Sequence, residues 1–201
     1  MAKYLILHYS GCTKYYSLVP DVASSRAKLT TNFVSRGILL QKTGRLTEAA
    51  AAYSRAISHR PKLALAHLNL GVTLADLGRK EDAIKILSDC SKLDDNGLKD
   101  PKTNANARIS AVWHLGKLLI ESGAARRAVA VLEHTVRSSR GSSGVSQLYH
   151  LLGEGHEALG ELGVAEAWYS AAIETSPAQP GPHLMMARML ARNVSLMINS
   201  H

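Results

Sequence analysis

The chain is poor in aromatic residues, which make up 5% of its 201 positions and include a single phenylalanine and two tryptophans. Its interior therefore has to be built mainly from small and aliphatic side chains. Cysteine is scarcer still: Cys12 and Cys90 form no CxxC and no metal-ligand spacing, which leaves nothing to read as a zinc or redox motif. No run of about 18 apolar residues occurs, so no segment is long enough to span a bilayer. The apolar core of Met1–Tyr9 is only Tyr4–Leu7, too short for a signal peptide.

Catalytic and metal signatures are missing as well. None of the nine histidines pairs with another at i, i+4, and no HExxH or Cys/His cluster is present, so each is read as a surface or groove side chain rather than a ligand. There is no GxSxG nucleophile elbow and no GxxxxGK[ST] phosphate loop. The chain itself is expected to be no catalyst, and no cofactor or metal is expected. The formal charge of +8 could suit nucleic acid or an anionic membrane surface. Many cations, however, fall at inter-helix turns (Arg45, Arg79, Lys80, Arg126, Arg127) or on helix backs (Arg55, Lys85). A solvated outer surface explains them, and no nucleic-acid partner is expected.

What is present is a repeat. Gly37, Gly71, Gly116 and Gly153 are spaced by 34, 45 and 37 residues. Four before each stands a large residue (Phe33, His67, Val112, Tyr149), and seven after it a second glycine (Gly44, Gly78, Gly123, Gly160). Five further comes alanine (Ala49, Ala83, Ala128, Ala165), then a bulky residue (Tyr53, Leu87, Leu132, Tyr169) and a short one (Ala56, Cys90, Thr135, Ala172). The first glycine and the alanine let two helices approach closely, and the second glycine ends the first helix in a left-handed cap. Cations behind it suit a helix C-terminus. Cys90, in the packed-alanine column, is a small core residue. Each unit is helix, turn, helix, and such units must stack to bury their apolar faces.

This pattern resembles the tetratricopeptide repeat, which implies an all-α fold, an α-solenoid of antiparallel helix pairs wound as a right-handed superhelix. Residues 1–29 do not carry the repeat and form an N-terminal segment, weakly ordered or a short cap, with a short helix from Asp21 to Lys28. The array covers 30–193 in units 30–63, 64–94, 109–139 and 146–178, with a partial fifth at 180–193. The extra residues of the long interval form an insertion at 95–108, where Asn96-Gly97 and Asp100-Pro101 break the helix. A tail, 194–201, follows the point at which the columns fail: Val194 stands where the turn glycine is due and Asn199 where the alanine is due. A first helix without its partner would leave Met186, Leu190 and Leu196 partly uncovered. That end is an adhesive edge open to self-association, or a sign that the chain is one piece or isoform of something longer.

In a stack of this kind the first helices line an inner channel, so their non-core positions are the natural ligand surface. By helical phase these include Gln41, Leu68, Asn69, Asp76, Trp113, His114, Lys117, Glu121, His150, Glu154 and Glu157. The expected partner is a protein or an extended peptide segment. Val112, Leu115 and Leu119 form the core stripe of their helix, which leaves Trp113 about 100° away. Trp113 is thus either an anchor for a bound peptide or packed on the preceding hairpin. Some tetratricopeptide proteins grip the C-terminal carboxylate of chaperones with a Lys/Asn/Arg clamp. Here the matching positions are Val34, Ile38, Val72, Ser110 and His114, which depart from the clamp throughout.

Two stretches go beyond repeat consensus. The insertion CSKLDDNGLKDPKTNANA with VWHLGKLL, and LYHLLGEGHEALGELGVAEAWYSAAI with the later HLMMARML, resemble the repeat region of the transmembrane and tetratricopeptide-repeat O-mannosyltransferase family of the endoplasmic reticulum. The resemblance covers about Asn32 to Arg192. It implies a parent whose membrane-spanning portion moves mannose from dolichyl-phosphate mannose to Ser/Thr of clients, with lumenal repeats engaging the client. It carries no catalytic residue onto this chain. A lumenal location would make Asn193, in Asn193-Val194-Ser195, a possible glycan acceptor. The alternative is a soluble cytoplasmic adaptor that assembles complexes through its repeats.

Overall fold

The computed structural model describes residues 22–94, 100–139, 144–178 and 180–199, which contain nine α-helices and no strand. They run α1 Val22–Lys42, α2 Leu46–His59, α3 Ala64–Asp76, α4 Lys80–Ser91, α5 Pro101–Glu121, α6 Ala125–Ser138, α7 Tyr149–Ala158, α8 Leu162–Thr175 and α9 Pro180–Asn199, with a 3₁₀ turn at Val145–Leu148 before α7. Consecutive helices pair as antiparallel hairpins: α1 with α2, α3 with α4, α5 with α6 and α7 with α8. The repeat predicted from the sequence is the repeat observed.

The columns account for the packing. Ala49, Ala83, Ala128 and Ala165 are fully buried, as are Tyr53, Leu87, Leu132 and Tyr169 four residues on. With Ala52 and Ala56, α2 presents an i, i+3, i+4, i+7 apolar stripe to its neighbours. Gly44, Gly78, Gly123 and Gly160 all have φ between 76° and 79°. At the first of these turns the amide of Gly44 donates to the carbonyl of Gln41 at 3.1 Å and that of Arg45 to Leu40 at 2.9 Å, the paired bonds of a left-handed helix cap. Arg45 and Arg79, expected to sit against helix C-termini, instead pair with Glu48 at 2.6 Å and Asp82 at 2.5 Å in the first turn of the following helix. Cys90 is buried, its thiol donates to the Ala64 carbonyl at 3.5 Å, and burial pushes its pKa up to about 12. It is an inert packing residue.

Three boundaries move. Helix α1 runs unbroken from Val22 to Lys42, so the expected division between 29 and 30 lies inside a helix; Thr30 is buried there and its hydroxyl donates to the Arg26 carbonyl. Residues 1–21 are outside the described part. The insertion is shorter than expected as a loop, because α5 begins at Pro101 and its first two turns use residues assigned to 95–108. Asp100-Pro101, read as a breaker, is a helix start: Asp100 accepts from the Thr103 amide at 3.0 Å and proline takes the first helical position. These added turns dock on unit two. Asn104 is buried and its Oδ1 accepts from the Ala64 amide at 2.8 Å. Finally, α9 continues through the expected tail to Asn199. It seats Met189 against Ala165 and Tyr169, leaves Met186 half-buried and exposes Leu184 and Leu190; the side chain of Leu196 lies outside the described residues.

The first helices touch one another along the stack, α1 to α3, α3 to α5, α5 to α7 and α7 to α9. Among the described residues the second helices touch none of their own kind. A stack closer on one side than the other curves toward that side, so the first helices face inward. A cleft between α2 and α4, lined by Ala51, Ser54 and Lys85, opens on the splayed outer side.

Candidate functional site

The inner surface is built from the turns of each first helix on either side of its close-packing glycine. At Gly37 a Cβ would lie 2.5 Å from the ring of Tyr53, and at Gly153 2.4 Å from the ring of Tyr169. Because those positions have no side chain, each tyrosine ring passes over the backbone of the first helix, and its buried hydroxyl reaches a side chain on the following turn of that helix. Tyr53 Oη donates to Gln41 Oε1 at 3.0 Å and also meets the Asn69 side chain of α3. Tyr169 Oη donates to Glu157 Oε2 at 3.1 Å. Burial raises the pKa of both phenols, and for Tyr169 the charge of Glu157 raises it further. In the two middle units leucine fills this column, and Ala75 and Ile120 stand where Gln41 and Glu157 stand in the outer ones.

Trp113 lies at the centre. It is half-buried against the main core cluster. Its ring meets His114 edge-on at 4.9 Å between centroids and His150 of α7 at 6.3 Å, and Lys117 Nζ is 5.7 Å from its centroid. Its aromatic partners therefore come from its own helix and from the following unit. The i, i+4 placement of Lys117 after Trp113 lets the ammonium reach the ring, a cation–π contact that is modest where solvent competes.

Charge on this surface is unevenly shared. His114 and His150 are held below the usual imidazole pKa by burial, assisted at His114 by Lys117 and opposed there by Asp76 across the α3–α5 gap. Glu154 is raised above the usual carboxylate range, first by burial and then by Glu157 and Glu121, while Lys117 and Arg188 pull it back. Lys117 pairs with Glu121 at 4.0 Å. The side chains of α1, α3, α5, α7 and α9 thus meet in two groups along one row, Gln41 and Asn69 through Tyr53, and Asp76, His114, Trp113 and His150 with Lys117, Glu154 and Arg188.

All eight groove residues expected from helical phase, Asn69, Asp76, Trp113, His114, Lys117, His150, Glu154 and Glu157, lie on first helices. Arg188 of α9 joins them without having been expected, and the buried Tyr53 and Tyr169 brace the row from beneath through Gln41 and Glu157. A tyrosine in the bulky column with an amide or acid twelve residues earlier is the signal that would have found the two tyrosines. Two histidines depart from the reading given to all nine: His67 and His156 are buried. His156 takes the core column of Leu40, Leu74 and Leu119, its Nδ1 lies 2.6 Å from Glu161 and its Nε2 3.7 Å from Glu133 of α6. Asn193 falls on α9, and its side chain is outside the described residues.

Comparison with known proteins places these features. A family model described as tetratricopeptide repeat matches residues 34–89 and 114–180, more than half of the chain, and the unmatched interval holds the start of α5. Protein O-mannosyl-transferase TMTC2 of Mus musculus is 32% identical over 114 residues, 57% of this chain and 14% of that protein. The Homo sapiens protein of the same name is 32% identical over 111 residues, 55% and 13% of the two chains. The chain thus spans about one seventh of these relatives. Among solved structures, MamA 41-end from Desulfovibrio magneticus RS-1 superposes with a TM-score of 0.61 at 20% identity, covering 84% of this chain and 85% of that one. Pseudomonas aeruginosa pilF gives 0.66 at 16% identity, covering 85% and 72%. Both likenesses concern the fold.

Proposed function

The chain belongs to the tetratricopeptide-repeat family, and from that premise we propose that it is a protein-binding scaffold holding an extended segment of a partner along the inner side of the stack. The row of side chains shared by α1, α3, α5, α7 and α9 carries this reading. It offers one planar anchor, Trp113, flanked by His150, Lys117 and Glu154, and a half-desolvated surface gives such groups their worth in binding. Alternating polar groups spaced along a channel suit a strand-like ligand, whose backbone presents donors and acceptors at a regular interval.

The finer reading makes this chain the repeat portion, a fragment or variant, of an endoplasmic-reticulum protein O-mannosyltransferase. The identity to the two O-mannosyl-transferases supports it. In such a parent the membrane-spanning part would transfer mannose from dolichyl-phosphate mannose to Ser/Thr, and these repeats would hold the client. No helix among the described residues is long and apolar enough to cross a membrane. The transfer step is assigned to no residue here.

Two measurements test the pair of readings. Binding of an extended peptide to the full chain, followed by anisotropy, is expected to fall about tenfold with Trp113→Ala while helicity stays unchanged; a melted stack would make Trp113 a core residue instead. Followed in its own cells, the native protein that carries this sequence is expected to co-fractionate with the endoplasmic reticulum and to lose mass at Asn193 on deglycosylation. A cytoplasmic, unglycosylated chain would favour the soluble adaptor.

A further inference from the structure

Each first helix after α1 leans on the second helix before it, and the same positions make the contact. Two residues beyond the glycine column, Thr73 and Met189 are buried, and a Cβ at Gly155 would stand 2.7 Å from Val129 of the preceding α6. One residue before that column, Leu70, Leu115 and Leu152 are buried, and Leu70 shares its cluster with Ala49 and Tyr53 of the preceding α2. Among the described residues α1 touches only α2 and α3, so its matching positions are bare. Leu39, in the column of Met189, is 64% exposed, and Leu29, in the column of the buried Val145, is 47% exposed. Arg36 stands exposed in the leucine column between them. The spacing of 29, 36 and 39 puts the three on one face. This end is also of one sign. From Val22 to His59 the sequence holds six Lys and Arg and one acidic residue, Glu48, which already pairs with Arg45 at 2.6 Å. Arg36 and Arg55 line, with Phe33 and Glu48, a cleft of about 210 Å³ between α1 and α2.

We propose that this face of α1 is a second docking surface, separate from the channel, which takes an acidic amphipathic α-helix of a partner protein in the place of the second helix of a preceding unit. The apolar side of that helix covers Leu29 and Leu39, and a carboxylate on it meets Arg36 at the cleft shared with Arg55. A helix is what every later first helix accepts at these positions. Arginine in the leucine column then selects among helices, because covering it without a carboxylate leaves a buried, unpaired cation. A second copy of the chain matches poorly. Its other exposed leucines, Leu184 and Leu190, lie on α9, which carries Arg188 and Arg192 and no acidic residue, so like charges would meet.

The probe is a synthetic, fluorescein-labelled peptide with the sequence of residues 161–175, which holds three glutamates and no Lys or Arg and forms the second helix on which Met189 sits in this chain. Its anisotropy is followed on the full chain. Binding is expected, about tenfold weaker when Leu29→Ser and Leu39→Ser are combined, and weaker by a similar factor when the peptide's glutamates become lysines. Arg36→Glu should reverse the preference, so that the lysine peptide binds better than the glutamate one. Trp113→Ala should change nothing, which separates this surface from the channel. Binding indifferent to the leucines or to Arg36, or lost with Trp113→Ala, would overturn the proposal. So would capture of poly(U) RNA or phosphatidylserine vesicles in an Arg36-dependent manner with no binding of the peptide. Absence of all binding would mean that the seat does not exist, or is filled by residues 1–21 or a second copy, and would overturn it as well. The channel reading stands in each case.

Discussion

His156 Nδ1 and Glu161 Oε2 stand 2.6 Å apart in the core column where the other complete units carry leucine. The imidazole is 6% exposed, and its Nε2 makes no hydrogen bond, facing Glu133 at 3.7 Å instead. An apolar side chain of similar volume removes the one buried polar group, leaving Glu161 half in solvent, at little cost, whereas losing Glu161 strands the buried imidazole. His156→Leu is expected to leave stability unchanged or raise it by about 1 kcal/mol, and Glu161→Ala to lower it by about 1 kcal/mol. Urea unfolding of the two variants decides it: a large loss with His156→Leu would mean the pair holds α7 in place.

The close-packing glycines should differ among themselves. A Cβ at Gly153 would meet the Tyr169 ring at 2.4 Å, but one at Gly116 would meet the Leu132 methyl groups at 3.0 Å and beyond. An aromatic ring pinned by its hydroxyl to Glu157 cannot retreat as a leucine can. Gly153→Ala is expected to cost about 2 kcal/mol, and Gly116→Ala less than about 1 kcal/mol, because alanine's better helix propensity offsets the milder crowding. Thermal melts of both variants supply the comparison. Equal losses would refute the distinction.

Burial holds His114 and His150 below the ordinary imidazole value of 6.5. The unfolded chain therefore takes up protons first as pH falls, and the stability these two neutral rings allow is lost on acidification through 6.5 and below. The melting temperature should drop between pH 7.5 and 5.5. Replacing both by asparagine should flatten that drop, and an unchanged slope in the double variant would assign it elsewhere. Glu154 acts in the opposite sense at lower pH, since its raised pKa favours the native state's uptake of a proton above 4.5.

Asn104 reaches forty residues back along the chain to accept the Ala64 amide hydrogen. Asn104→Ala leaves that buried donor unpaired, with an expected cost of about 2 kcal/mol. Asn104→Asp, which keeps the acceptor, should recover part of the loss. Hydrogen exchange at the Ala64 amide reads the bond directly, and protection that survived Asn104→Ala would show another partner for it.

The hairpins were legible because their constraints are local and recur. A small residue where helices cross and a glycine with positive φ leave marks at fixed offsets. The start of α5 was harder, since an Asp-Pro pair can end one helix or begin another, and only the docking of Asn104 on unit two decides between them. The N-terminal half of α1 left no mark because it precedes the repeat register. Helical phase separated Trp113 and Glu154, which are half-buried, from the fully buried Val112, Leu115 and Leu152 on the same helices. It gave no sign of the hydroxyl bonds of Tyr53 and Tyr169, because a bulky core column was assigned packing alone. His156 was missed because burial of a histidine depends on the carboxylates of α6 and the following turn, neither of which its own helix reveals.

The two additional turns of α5 bear on how such a ribbon comes apart. In a linear array each hairpin is stabilised chiefly by the neighbour it leans on, so unravelling begins at whichever extremity is weakest and proceeds inward. By clasping the start of α3 from beyond its own hairpin, α5 couples units two and three more tightly than stacking alone would. The zipper should halt there, leaving the middle of the molecule folded after both extremities have let go.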